Sequence, residues 1–301
     1  MSTARPLKIL KKFTILLQSP LKASRESDQE ELLVLTAVYN EKGLLLSEVR
    51  VDMEGGEEEL HHYYYNDQGH LTEHVLEIPA DGIMERFLTV RNPDGLPLEI
   101  TKYYGEEPGE KTCYTYGAHA QPVRIVRYDA DGVFEEEDEL LYDDQSRLVR
   151  RCVKNAEGQE RVFVFSYDDK GRMVKEEEKQ GDDIISVLNT DYDEYGRETW
   201  LRKLNAEGKM VSAQESQYDD VGRLVRRTTR GFYTRISTYS YNEAGQLAEE
   251  ALSDENGFVI SRNRMDYNEE GQLSEETVYE TDLTRAGRDT HLANRYEYEY
   301  F

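Results

Sequence analysis

Long hydrophobic runs and cysteines are both scarce in this 301-residue chain. No stretch approaches the ~18 uncharged apolar residues of a membrane-spanning helix, so we expect no transmembrane segment. Two cysteines are too few for a disulfide scaffold. They favour a reducing compartment, and we predict two buried or half-buried thiols in a cytoplasmic protein.

Basic residues are also in the minority. The chain has 37 Lys and Arg against 62 Asp and Glu, a net charge of −25. Because phosphate affinity comes from clustered basic side chains, we expect no general nucleic-acid binding. The 22 tyrosines and 8 phenylalanines are too many for a disordered tail. These features describe a folded, acidic protein whose partner is expected to be another protein, and a basic one would suit the charge.

The charge is unevenly placed. The first 25 residues contain six basic residues and no acid, so the remainder carries −31. Apolar residues recur at alternate positions from Leu7 to Leu17, which is the period of a strand. We interpret residues 1–30 as a basic N-terminal strand or cap, or as an arm. Lys8, Lys11 and Lys12 are its candidate partner-binding residues.

Turn motifs repeat along the chain. Of the 21 glycines, 13 have Asp or Asn three residues earlier. In the pattern Asx-x-x-Gly, the Asx side chain accepts hydrogen bonds from backbone amides of a type I turn. The glycine then takes the left-handed conformation that closes a hairpin with a bulge. The pattern therefore predicts a series of β-hairpins.

The turns form two sets in a fixed period. The first set is spaced by 23–26 residues, and the second lies about 12 residues after it, at positions such as Asp52, Asp129 and Asn205. First-set turns begin at Asn40, Asn66, Asn92, Gly117, Asp143, Asp168, Asp193, Asp219, Asn242 and Asn268. We predict an all-β fold: an antiparallel meander of about ten double-strand repeats, ~25 residues each, over 31–279. Such a ribbon should curl or spiral into an open cocoon or a cylinder, with residues 280–301 as a C-terminal capping loop and strand.

Tyrosine precedes nine of the ten first-set turns, and Arg91 is the exception. With a glycine bulge, Tyr167 faces Met173 and Tyr218 faces Leu224 across their hairpins. An aromatic–aliphatic pair of this kind stabilises a sheet. Successive tyrosines should lie two strands apart, roughly 9–10 Å, in a ladder along one edge.

Two of these segments carry a family resemblance. Residues 167–173, Tyr-Asp-Asp-Lys-Gly-Arg-Met, and residues 218–224, Tyr-Asp-Asp-Val-Gly-Arg-Leu, resemble the YD repeats of Rhs proteins and teneurins. The resemblance extends over about residues 31–279 and implies a β shell or spiral, which in some family members encloses a toxin domain. A weaker resemblance is to MORN-type antitoxin repeats.

Candidate chemistry is sparse. His62 and His74 are weak candidates for a metal pair: His62 faces His74 in the simple bulged register, and a one-residue slip would place His61 there. A structural zinc site requires four ligands, so we predict no metal and no cofactor. No phosphate-binding loop, Gly-x-Ser-x-Gly or His-Glu-x-x-His motif is present, so we predict that the protein is not an enzyme.

The acidic run provides a candidate docking surface for a basic partner, with Glu135, Glu136, Glu137 and Glu139 as its candidate residues. We expect a non-catalytic binding or scaffold protein in a bacterial toxin or defence setting. One alternative is an immunity or antitoxin protein that neutralises a basic toxin. A second alternative is a metal-dependent enzyme that uses the His61–His74 hairpin.

Overall fold

The computed structural model describes residues 6–16, 31–281 and 289–301, and these form strands and turns only. In chain order the strands are β1 (Leu7–Leu16), β2 (Leu32–Tyr39), β3 (Leu45–Val51), β4 (Glu57–Tyr65), β5 (Leu71–Ile78), β6 (Ile83–Arg91), β7 (Pro97–Tyr104), β8 (Glu107–Tyr116), β9 (Pro122–Tyr128), β10 (Phe134–Tyr142), β11 (Leu148–Asn155), β12 (Glu160–Tyr167), β13 (Met173–Gln180), β14 (Asp183–Tyr192), β15 (Glu198–Asn205), β16 (Met210–Tyr218), β17 (Leu224–Arg230), β18 (Thr234–Tyr241), β19 (Leu247–Asp254), β20 (Val259–Tyr267), β21 (Leu273–Glu280) and β22 (Thr290–Tyr300).

Each strand pairs antiparallel with the next, which confirms the predicted meander. The sheet also closes: β1 pairs with β2 on one side and with β22 on the other. Of the expected forms, the open cocoon and the spiral are therefore wrong, and the cylinder is correct: the 22 described strands form a closed barrel. Closure is favoured because it pairs the backbone groups that two free sheet edges would expose.

The barrel has two rims. Because all the strands are antiparallel neighbours, the first-set turns lie at one end, here called the first rim. The second-set turns lie at the other end, the second rim. The last residues of β1 and β21 and the first residues of β2 and β22 also lie at the second rim. Residues 17–30 and 282–288 fall outside the described residues.

The wall of the barrel is a single layer. Strands that are not hydrogen-bonded neighbours do not approach within 8 Å between Cα atoms, among the strands described. The accessible surface is 19857 Å², whereas a compact protein of this mass exposes about 13,000 Å². The buried apolar residues of the described segments are few and mostly small: Ala37, Val126, Cys152, Ala213, Ala251, Ile260 and Ala293. Both faces of the sheet are therefore largely accessible.

The barrel is wide. Twenty-two strands spaced about 4.8 Å apart and tilted by about 40° form a cylinder on the order of 40–45 Å across the backbone. Both Cys113, which is half-buried, and Cys152, which is buried, are free thiols, as predicted. Among the described residues, we find no helix with the length and apolar character needed to cross a membrane.

Candidate protein-binding surfaces

The first-set turns form as predicted. In the turn that starts at Asp168, the Asp168 Oδ1 atom accepts hydrogen bonds from the backbone amides of Lys170 and Arg172. The backbone amide of Gly171 donates a hydrogen bond to the Asp168 carbonyl at 3.0 Å. Gly171 has a φ of 79°, the left-handed conformation that glycine adopts without strain. Tyr167 pairs with Met173, and Tyr218 pairs with Leu224. The Tyr–Leu spacing therefore predicted the register at the rim correctly.

Eight of the nine first-set tyrosines also bond to the preceding repeat, which the sequence did not suggest. The Tyr167 hydroxyl donates to the carbonyl of Leu148, the first residue of the neighbouring strand β11, at 2.7 Å. The same bond, at 2.7–3.0 Å, is formed by Tyr65, Tyr116, Tyr142, Tyr192, Tyr218, Tyr241, Tyr267 and Tyr298. Burial raises the pKa of Tyr167 above that of an ordinary phenol. The predicted ladder is thus also a series of hydrogen bonds between neighbouring strands.

Arginine adds a third link at four turns. Arg172 Nε donates to Asp168 Oδ2 at 2.7 Å, and its guanidinium lies 4.6 Å from the ring centroid of Tyr192 in the next repeat. The Arg172 amide and its guanidinium hold the pKa of the Asp168 carboxyl below its usual range. The turns that start at Asp143, Asp193 and Asp219 have the same arrangement. We call these tyrosine, aspartate and arginine contacts the first-rim network.

Arg91, the one residue that breaks the tyrosine pattern, takes over its role. Its Nε and Nη2 donate to the Leu71 carbonyl at 3.0 and 2.8 Å, and its Nη1 donates to the Gly95 carbonyl at 2.8 Å. A tyrosine at this position would bond the same Leu71 carbonyl, because Leu71 begins the neighbouring strand β5 as Leu148 begins the strand next to Tyr167. The guanidinium fork therefore replaces a phenol hydroxyl without breaking the network.

The acidic run does not form one surface. Adjacent residues of a strand point to opposite faces, so Glu136 lies on the face of Asp138, and Glu137 and Glu139 lie on the other. Glu135 is the extra residue of a bulge between β9 and β10. Glu136 and Glu137 are paired with Arg127 and Arg124. A single docking surface made of all four glutamates is therefore wrong.

Asp138, within the same run, is the most completely buried acid of the described chain, at 1% exposed. It accepts hydrogen bonds from Arg127 Nη1 at 2.8 Å and Arg151 Nε at 2.5 Å. Burial alone would raise the pKa of Asp138, but the two guanidinium groups lower it below the usual value. This cluster joins β9, β10 and β11 and is a structural element of the wall.

The basic residues of β1 contact β22. Lys11 Nζ lies 3.1 Å from Glu299 Oε1, and the ammonium groups of Lys8 and Lys12 lie 5.8 Å from the rings of Phe301 and Tyr296. The basic strand is therefore built into the sheet at its closure. Lys22 and Arg25 lie outside the described residues.

The histidine pair forms with a different partner from the one expected. His74 faces Tyr63, and His62 faces Val75, so the predicted His62–His74 pair is wrong. The register shift between Tyr64 and Tyr65 adds one residue on β5 that the simple count did not include.

His61 is the actual neighbour of His74. The His61 Nδ1 atom lies 3.0 Å from His74 Nε2, and His61 Nε2 lies 3.1 Å from Glu59 Oε2. Burial and the nearby His61 lower the pKa of His74. No group of three or more metal-ligating side chains occurs in the part of the chain that the structure describes.

Comparisons with protein-family models and with curated proteins find no match. Among solved structures, a TcdB2-TccC3-Cdc42 crystal structure aligns with 90% of this chain at 14% identity and a TM-score of 0.37, and this chain spans only 18% of that chain. A porin-like protein from Bacteroides uniformis aligns over 98% of both chains at 12% identity and a TM-score of 0.33. At these TM-scores the similarities carry no argument about function.

Proposed function

We propose that this chain is a non-catalytic, protein-binding repeat protein of the YD, Rhs-like type, and that its partner is basic. The observation that carries the proposal is the single-layered, closed barrel, both faces of which are accessible, built from a chain with a net charge of −25. A wide acidic surface attracts a basic protein and speeds its association.

The repeat type is supported by the first-rim network. Each residue that defines the Tyr-Asp-x-x-Gly-Arg-Leu signature has a structural role here. The tyrosine bonds the preceding repeat, the aspartate caps the turn, the glycine closes it, the arginine stacks on the next tyrosine, and the last residue pairs with the first.

A bacterial toxin or defence setting follows from the family resemblance, and the free thiols Cys113 and Cys152 suit a cytoplasmic location.

An immunity protein that neutralises a basic toxin is the second candidate, and the same charge favours it. The enzyme alternative has less support. The two imidazoles of His61 and His74 are committed to each other and to Glu59, and they provide two nitrogen ligands where a structural zinc site uses four.

The test is to co-express the chain with each protein encoded beside its own gene and to purify the complexes at about 0.15 M salt. We expect one basic neighbour to co-purify, to be released at about 1 M salt, and to bind again as an isolated pair in calorimetry. A partner that is itself a toxin, and is inactivated in the complex, selects the immunity role. Failure of every basic neighbour to bind, or turnover of a substrate by the chain alone, contradicts the proposal.

A further inference from the structure

The second rim lacks the first-rim network and carries an apolar arc. Four successive hairpins, β13–β14, β15–β16, β17–β18 and β19–β20, place large hydrophobic side chains at this rim. The arc consists of Ile184, Ile185, Met210, Phe232, Tyr233 and Phe258, with exposed fractions from 38% to 104%. Because neighbouring hairpins are two strands apart, roughly 9–10 Å, the arc extends over about 30 Å.

The first rim also has exposed apolar side chains, but most of them, such as Leu46, Tyr64 and Leu141, lie on strands beside the turns. Tyr195 and Val221, each 75% exposed, are single residues within turns whose neighbours are held by the first-rim network. At the second rim, by contrast, Phe232 and Tyr233 are adjacent and occupy the turn itself. Large exposed apolar groups on four neighbouring hairpins are typical of an interaction site.

The charge beside the arc indicates the kind of partner. The described residues between strands at the second rim include twelve acids, among them Asp182, Glu207 and Glu255, and one base, Lys209. On the strand beside the arc, the Arg235 guanidinium lies 5.2 Å from the ring centroid of Tyr233. A second copy of the same rim, or an anionic lipid surface, would be repelled by this charge. A protein surface with both basic and apolar groups complements it.

We infer that the second rim is the docking surface for the partner, and that the apolar arc binds an apolar segment of that partner flanked by Lys or Arg. The inference rests on the proposed function and adds to it the location and the chemistry of the contact. The arc supplies the buried apolar area, and the surrounding acids orient the partner and exclude acidic competitors.

The test uses a fluorescent amphipathic helical peptide composed of leucine and lysine. We expect micromolar binding that weakens at least tenfold in the triple variant Phe232→Ser, Tyr233→Ser, Phe258→Ser. The matched first-rim variant Tyr195→Ser, Val221→Ser should bind within twofold of the parent protein. All five side chains are exposed, so the substitutions leave the wall intact.

Two further peptides separate the two components of the contact. A peptide with Glu in place of Lys should not bind, and one with Ser in place of Leu should bind at least tenfold more weakly than the parent peptide. Equal binding of the Ser peptide, or an unchanged affinity of the triple variant, overturns the docking assignment.

Other outcomes would show that something other than a basic protein binds at the second rim. Dimerisation that the triple variant abolishes would assign the rim to a second copy, and rim-dependent binding to phosphatidylglycerol vesicles would assign it to a lipid surface. If only the first-rim variant loses peptide binding, the proposed function stands and the second rim is rejected as the docking surface. Absence of binding by any basic peptide rejects both.

Discussion

At the residue scale, most of the chain's regularity is turn chemistry. Aspartate or asparagine caps the turn amides, and a glycine with a positive φ closes the hairpin. The turn that starts at Asp143 departs from this rule, because Ser146 occupies the left-handed position with a φ of 64°. A residue with a Cβ atom is strained in that conformation by about 1–2 kcal/mol.

Replacement of Ser146 by glycine should therefore stabilise the protein. We expect Ser146→Gly to raise the free energy of unfolding by about 0.5–1 kcal/mol, since relief of the strain outweighs the extra backbone entropy of the unfolded chain. Urea unfolding measures the change. Gly171→Ser, at the equivalent position of the next repeat, is the matched control and should destabilise by a similar amount. A destabilised Ser146→Gly variant would show that this turn is not strained.

The histidine pair gives a pH dependence with a defined sign. Because burial and His61 lower the pKa of His74 in the folded protein, the unfolded chain binds the proton more tightly. The stability that this histidine contributes is present above pH ~6.5 and is lost as pH falls through its lowered folded pKa. We expect His74→Leu to flatten the stability profile between about pH 7 and pH 5. His119→Leu, in an exposed turn, should leave the profile unchanged, and an equally steep profile in the His74 variant would contradict the assignment.

At the element scale, the unit of the fold is a hairpin bonded to its neighbour by one tyrosine hydroxyl. The hydroxyl donates to a carbonyl at the start of the adjacent strand, which belongs to the preceding first-rim hairpin. It therefore couples repeats that would otherwise contact only through the sheet hydrogen bonds. The rings are half-buried, so the hydroxyl bond is a large part of what each tyrosine contributes.

Removal of one hydroxyl should weaken one repeat boundary. Tyr167→Phe retains the ring and leaves the Leu148 carbonyl without this donor, which costs about 1 kcal/mol. Hydrogen exchange should show the loss of protection concentrated in β11 and β12. Tyr195→Phe, in an exposed turn, is the control and should have no measurable effect. A loss of protection spread evenly over the barrel would contradict the local coupling.

Arg91, which stands where the other repeats have tyrosine, allows the converse experiment. Arg91→Tyr should be close to neutral, because a phenol at this position can reach the Leu71 carbonyl as the other rim tyrosines reach theirs. Arg91→Leu should destabilise by about 1–3 kcal/mol, because it leaves the carbonyls of Leu71 and Gly95 without their donors. Thermal unfolding of the two variants makes the comparison, and equal melting temperatures would refute the equivalence of arginine and tyrosine.

At the scale of the whole molecule, closure replaces a hydrophobic core as the organising feature. The basic strand β1 lies between β2 and the acidic, tyrosine-rich β22, and Thr14 Oγ1 donates to Asn294 Oδ1 at 2.8 Å at the closing pair. Both residues are buried, at 5% and 3% exposed. The two ends of the chain thus determine whether the sheet is a barrel or a ribbon.

A designed disulfide tests this closure. In a background with Cys113 and Cys152 replaced by Ala, Thr14→Cys with Asn294→Cys should form an intramolecular bond. Paired antiparallel residues are about 4.5–5.5 Å apart between Cα atoms, within the range of disulfides. Thr14→Cys with Asn263→Cys, three strands apart, should not form a bond. Mass spectrometry distinguishes the products, and absence of the first bond under oxidising conditions would contradict the closed barrel.

The sequence determined the strands, the turns and the pairing next to each first-set turn, because those features depend on residues within about ten positions of one another. Tertiary structure determined the rest. One extra residue on β5 shifted the register, so that His61 and not His62 lies next to the His74 side chain. Strand alternation placed Glu136 on the opposite face of the sheet from Glu137 and Glu139. Closure depends on contacts between residues about 280 positions apart in the chain. The apolar residues of the arc lie on successive turns about 25 residues apart, and they become one surface only when the intervening strands pair side by side.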